Sequence, residues 1–123
     1  MKKSESLEQI TVIDYCEAKG WYIIHIPNEG KRTPWTGRQL AAAGLRCGVP
    51  DLCFPTARGG YFALYIEMKY GKNKPTAAQK RWAQQLRREG YAVQFAYSFD
   101  EGRAILDKYL SWAPTRPEGL PNE

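Results

Sequence analysis

Two acids and a lysine in this chain lie one hairpin apart, close enough to meet at one point. They are Asp51, in Gly48-Val49-Pro50-Asp51, and Glu67 and Lys69, in Tyr65-Ile66-Glu67-Met68-Lys69. Side chains alternate between the faces of a strand, so Glu67 and Lys69 point one way while Ile66 and Met68 point into a core. If Asp51 starts the strand paired with this one, Asp51 and Glu67 offer hard oxygen donors to a shared divalent cation. Lys69 would stand beside it. Each residue taken alone has a simpler role: Pro50-Asp51 as turn chemistry, Glu67 with Lys69 as an ion pair on a strand face, and Gln79 as a helix cap. Their combination, followed by a basic helix, is what suggests a site.

The surrounding pattern supplies elements to hold these groups. A first helix is expected from about Glu5 to Lys19, with Ser4 and Ser6 both possible N-caps, Ser6 and Gln9 at capping-box spacing, and Gly20 as its stop. Its apolar residues spread widely enough to suggest cover on more than one side. Trp21 to Ile26 reads as the first strand, with the lone histidine, His25, near its end. That histidine is a second-rank candidate, because a single histidine is more often structural. The stretch 27–37 is polar and rich in Pro and Gly, which predicts an exposed basic loop. Thr36 and Gln39 then open a short helix to Ala43. Asp51 to Phe54 and Tyr61 to Lys69 form an antiparallel hairpin turned at Arg58-Gly59-Gly60. Thr76 and Gln79 cap a helix running through Glu89. Between Lys69 and Gly90 seven residues are Lys or Arg and Glu89 is the single acid. Tyr91 to Tyr97 gives a fourth strand, parallel to the third because a helix separates them. A last helix, capped by Ser98, runs to about Leu110. One domain over residues 1–112 is expected, with a Pro-rich tail at 113–123 that is loosely held or used for contacts.

Composition narrows the function classes. At 123 residues and 43% hydrophobic, the chain has apolar surface for one core. Eighteen Lys and Arg against thirteen Asp and Glu leave a net charge of +5, which favours a polyanionic partner. Cys16, Cys47 and Cys53 form no CxxC pair, so they read as reduced, small buried hydrophobes in a cytoplasmic protein. With one histidine and scattered thiols, neither a zinc site nor a Cys/His nucleophile is expected. Neither phosphate-cradling glycine motif occurs, which argues against a nucleotide cofactor, and no long apolar run suggests a membrane segment.

Taken in order, Glu5…Gln9, Gly20-Trp21, His25-Ile26-Pro27-Asn28, Gly48-Val49-Pro50-Asp51-Leu52, Ile66-Glu67-Met68-Lys69, Gln79…Trp82 and Gly90-Tyr91 resemble the VRR-NUC family of the PD-(D/E)XK nuclease superfamily. The likeness runs from about Glu5 to Leu110 and is strongest to the small stand-alone members of phages and prophages. It implies an α/β fold with an αβββαβ core and a mixed four-stranded sheet flanked by helices. It also implies Mg2+- or Mn2+-dependent endonuclease cleavage of DNA, and a homodimer acting on branched DNA such as four-way (Holliday) junctions. Carried over by residue, Asp51 and Glu67 look like metal-binding acids and Lys69 like the catalytic lysine. Gln79 matches the glutamine of the following helix, and the Met68 carbonyl is a further metal donor. The acid of the first helix is Glu5, with Glu8 as its neighbouring competitor. The valine and two arginines of the family name have no equivalent run here.

Lys31, Arg32, Arg38, Lys72, Lys74 and Lys80 are the phosphate-contact candidates. A non-catalytic nucleic-acid-binding or regulatory module on the same fold is the alternative. For either reading, DNA retention measured by filter binding should fall steeply and linearly with log salt, and salt-insensitive behaviour would argue for a purely structural protein.

Overall fold

In a computed structural model, residues 5–27 and 34–116 are described, apart from the side chains of residues 5 and 34–36. Helix α1 (Glu5–Ala18) leads into β1 (Ile24–His25), α2 (Pro34–Ala42), β2 (Leu52–Phe54) and β3 (Leu64–Met68). Then come α3 (Ala77–Arg88), β4 (Ala92–Ala96) and α4 (Phe99–Leu110). The sheet order is β1-β2-β3-β4. The first two pairings are antiparallel and the third is parallel, so the sheet is mixed as expected.

Alternation along the strands divides the molecule into layers. Leu52 and Phe54 of β2, Leu64, Ile66 and Met68 of β3, and Ala96 of β4 join Val12 and Cys16 of α1 and Leu106 and Tyr109 of α4 in one buried cluster. On the other face of the sheet stand Tyr65 and Glu67, with Lys69 just beyond the end of β3, and α3 covers them. The β2–β3 register pairs Leu52 with Ile66. One step further along the antiparallel pair, Asp51 falls opposite Glu67. Burying the apolar face against α1 and α4 therefore turns the two acids together toward α3.

The β2–β3 connection, residues 55–63, reverses at a two-residue turn. Arg58 and Tyr61 exchange both backbone hydrogen bonds, and Gly59 and Gly60 have φ of 61° and 91°. Two successive positive φ values are the type I′ geometry that suits hairpin twist and favours glycine.

Several local expectations change. Helix α1 starts at Glu5 as expected, which puts Ser6 inside it and rules out Ser6 as the N-cap of a capping box with Gln9. Likewise α2 begins at Pro34, which places Thr36 within the helix. Proline suits a first turn, where its missing N–H leaves no bond unmade. β1 shortens to two residues, because only Ile24 and His25 find partners on β2. Cys16 and Cys53 are buried as expected, but Cys47 is exposed. The start of the tail bonds back to the hairpin turn. Gly59 N–H donates to Ala113 O at 2.8 Å, Gly60 N–H to Thr115 Oγ1 at 2.8 Å, and Thr115 N–H to Ala57 O at 3.2 Å. The hairpin turn leaves backbone groups that residues 113–116 satisfy; residues 117–123 lie outside the described residues.

One close approach joins the two halves of the site. Gly48 has φ +94°, and a Cβ there would sit 2.6 Å from the backbone carbon of Ala78 in the first turn of α3. Gly48→Ala should therefore cost about 2–4 kcal/mol through backbone strain and overpacking, read as a lowered urea midpoint. An unchanged midpoint would show that α3 does not need this contact.

Candidate active site

Asp51, Glu67 and Lys69 are 5%, 4% and 6% exposed, so three ionisable side chains are buried side by side. Such groups are rarely buried unless paired, and here each has a partner. The Asp51 N–H donates to Glu67 Oε2 at 2.8 Å, and the Met68 N–H donates to Asp51 Oδ2 at 3.1 Å. Each acid thus accepts a backbone N–H from the other strand. The charge of Asp51 also opposes ionisation of Glu67.

Gln79 closes the cluster from α3. Its Nε2 donates to Glu67 Oε1 at 2.8 Å, while its Oε1 accepts from Lys69 Nζ at 2.9 Å and from the Thr76 N–H at 2.9 Å. Thr76 Oγ1 in turn accepts from the Gln79 N–H at 3.1 Å, completing a capping box. One amide side chain therefore starts α3, orients the lysine and pins the glutamate. The positive end of the α3 dipole faces the same place.

Behind Asp51 runs a second chain of contacts. Its carbonyl accepts from the Ile26 N–H at 2.6 Å and lies 3.2 Å from His25 Nδ1, which is 3.0 Å from Gln9 Nε2. Helix α1 thus reaches the site through Gln9 and His25. Capping-box spacing concealed this role for Gln9, and only its pairing across the β1 edge reveals it. Glu8 serves elsewhere: its Oε2 accepts from the Phe99 N–H at 2.7 Å, at the first turn of α4. Glu5 stands one helical turn before Gln9, and its side chain lies outside the described residues.

The basic candidates are distributed unevenly. Lys72 and Lys74 are exposed in the β3–α3 connection, and exposed Lys80 directly follows Gln79. These three flank the acids along the chain. Arg38 is exposed on α2, which packs against no other helix or strand among the described elements. Lys31 and Arg32 lie outside the described residues. Arg46, not singled out from the sequence, donates to Ala41 O at 2.8 Å and Leu45 O at 3.1 Å at the end of α2.

Chemically, the donor set fits a hard divalent cation. Two buried carboxyls in contact are driven to ionise less, and a cation relieves that conflict. No group of three His, Cys, Asp or Glu side chains assembles among the described residues, so the acid pair would need backbone or further donors. Burial first, and then the charge of Asp51, push the Glu67 carboxyl up from 4.5 to about 8, with Lys69 opposing. Between those values the folded chain holds a proton that the unfolded chain has released. Stability in EDTA should therefore fall as pH rises through that window, by at most about 1.4 kcal/mol per pH unit. Thermal melts across the window should show the decline, and Glu67→Gln should flatten it. Added Mn2+ should raise the melting temperature most at the alkaline end, where it no longer competes with the proton. A flat wild-type profile would contradict the buried acid pair.

Comparison with known proteins agrees with this fold. Residues 3–100 match the family model of the VRR-NUC domain. A solved VRR_NUC domain protein superposes with a TM-score of 0.82 at 26% identity, covering 94% of this chain and 95% of that one. A second, a VRR_NUC domain at 24% identity and a TM-score of 0.60, covers 85% and 96% and shares the fold. None of the curated proteins compared with the chain matches it. With the family model spanning most of the sequence around Asp51, Glu67, Lys69 and Gln79, the chain belongs to the VRR-NUC domain family, a family of nuclease type.

Proposed function

We propose that this protein is a divalent-cation-dependent DNA endonuclease that hydrolyses phosphodiester bonds. The observation that carries this reading is the buried pair Asp51 and Glu67, joined by the bond from the Asp51 N–H to Glu67 Oε2 and tied through Gln79 to Lys69. A binding module gains nothing from carboxylates set where phosphates must approach, whereas metal-assisted hydrolysis needs them. Asp51, Glu67, the Met68 carbonyl and Glu5 would hold Mg2+ or Mn2+. When bound, the cation supplies Lewis-acid stabilisation of phosphate charge and a lowered pKa for water.

The remaining work falls to the chain itself. Gln79 accepts the Lys69 hydrogen bond, so the lysine is held beside the acids before substrate arrives. From there Nζ can orient the attacking water or stabilise charge developing on the phosphate. Preorganisation of this kind removes the cost of turning a flexible lysine during reaction. Lys72, Lys74 and Lys80 would track the backbone on the α3 side, and exposed Arg38, with Lys31 and Arg32, would extend that contact. Phosphate contacts of this kind carry no sequence information, so selection by DNA shape, including branched or four-way junction DNA, follows more naturally than base readout. A symmetric homodimer would present two such sites to a symmetric junction.

The test uses purified protein with supercoiled plasmid and a synthetic four-way junction, in Mg2+, Mn2+ or EDTA. Cleavage should require the metal and favour the junction over linear duplex. Lys69→Ala and Glu67→Ala should each lower the rate by about 100-fold or more. Gln79→Ala should lower it by less while leaving the metal requirement intact. Absence of metal-dependent cleavage, or cleavage that survives both Lys69→Ala and Glu67→Ala, would overturn the enzyme reading in favour of a non-catalytic nucleic-acid-binding module.

A further inference from the structure

At the far end of the β3–β4 pair from the acids lies a cleft of about 420 Å³ between β4, the end of α3 and the second half of α4. A volume of that order suits a small organic group. Tyr61 and Trp112 form one wall, stacked with centroids 6.1 Å apart at 30°, and Tyr109 meets Trp112 edge-on at 5.7 Å. Tyr61 and Trp112 nevertheless remain 39% and 38% exposed. Their position is built rather than incidental. A Cβ on Gly59 would come within 2.6 Å of the Trp112 ring, and the bonds from Gly59 to Ala113 and from Gly60 to Thr115 hold the following chain in place.

The charged side chains lining the cleft, Arg87 and Lys108, are both cationic. Arg87 Nη2 donates to Val93 O at 2.7 Å, which fixes the guanidinium across the open edge of β4. Exposed aromatic faces beside fixed cations suit a base that stacks and a phosphate that pairs, whatever the base identity. A purely apolar ligand has no use for the two cations, and an acidic group without a ring leaves the aromatic wall unused.

We propose that this cleft holds an unpaired nucleotide from a single-stranded arm of the DNA, a reading that rests on the nuclease proposal above. The strand register separates it from the site chemically as well as spatially. Leu64 pairs with Ala92 at the cleft end, and Met68 pairs with Ala96 at the acid end. Four residues of strand span about 13 Å, so the nucleotide bound here is not the one cleaved. It anchors an adjoining arm and biases the enzyme toward substrates that have one.

Fluorescence anisotropy in EDTA, with a labelled short oligothymidylate and a blunt duplex of equal length, tests this without cleavage. Trp112→Ala and Lys108→Glu should each weaken oligothymidylate binding by about 5-fold or more, the range of one base stacked on an aromatic ring. Duplex binding should move by less than about 2-fold, and Trp112→Phe should retain most of the oligothymidylate affinity. Lys108 is exposed, so its variant tests the cleft without disturbing the packing of Trp112 on Gly59. Unchanged oligothymidylate binding in both variants, equal losses for oligothymidylate and duplex, or no oligothymidylate binding by the wild type would overturn the proposal. Plasmid nicking by the wild type in Mn2+ separates the two readings. Nicking with variant-insensitive oligothymidylate binding removes the cleft alone, whereas variant-sensitive binding without nicking supports the cleft and removes the nuclease.

Discussion

Two carboxyl groups forced into contact inside a sheet organise most of what surrounds them. An acid pair in that position has no stable ionised state of its own, because both burial and mutual repulsion oppose the second charge. The fold answers with donors: the Asp51 and Met68 N–H groups from the strands, the Gln79 amide from α3, and Lys69 through that same glutamine. What remains is a pair of hard oxygen donors whose natural complement is a cation. The same contact therefore constrains the fold and prepares its chemistry.

That arrangement explains why α3 has to sit where it does. Gln79 reaches the acids only if the first turn of α3 lies against the Gly48-Val49-Pro50 segment, and the absence of a Cβ at Gly48 permits that approach. Thr76 then supplies the helix start, so the capping bond and the site bond are made by one side chain. Such economy couples stability to function: the glutamine cannot be moved without fraying the helix and releasing the lysine together. On the opposite side, Gln9 and His25 tie α1 to the Asp51 carbonyl, which supports the acid from behind.

Some exposed groups acquire meaning only in this frame. The chain beyond α4 is pinned to the β2–β3 turn, and the Trp112 ring is held half in solvent beside Tyr61. Over residues 113–116 the tail makes contacts, bonding to a hairpin turn that would otherwise leave those groups to water. The aromatic wall and the acids occupy opposite ends of the same two strands, which makes the β3–β4 pair a ruler between them.

Much of this was legible before any coordinates. Period-two alternation put Glu67 with Lys69, the hairpin brought Asp51 opposite, and Thr76 with Gln79 marked the helix that follows; local rules of spacing decide these features. Capping signals elsewhere misled. Ser6–Gln9 and Thr36–Gln39 have the right spacing, but α1 starts at Glu5, as expected, and α2 at Pro34, so neither Ser6 nor Thr36 stands before its helix, and spacing identifies a cap only when the helix start is already known. What the sequence by itself determined was which residue types could do chemistry and the order of elements that carries them. Tertiary structure alone decided that Gln79 bridges Glu67 and Lys69, that Glu8 serves α4, that Gln9 backs His25, and that Tyr61 and Trp112 share one wall with Arg87. The physical reason is that these contacts join residues far apart in sequence, where sheet register and helix docking, and not local spacing, set the distance.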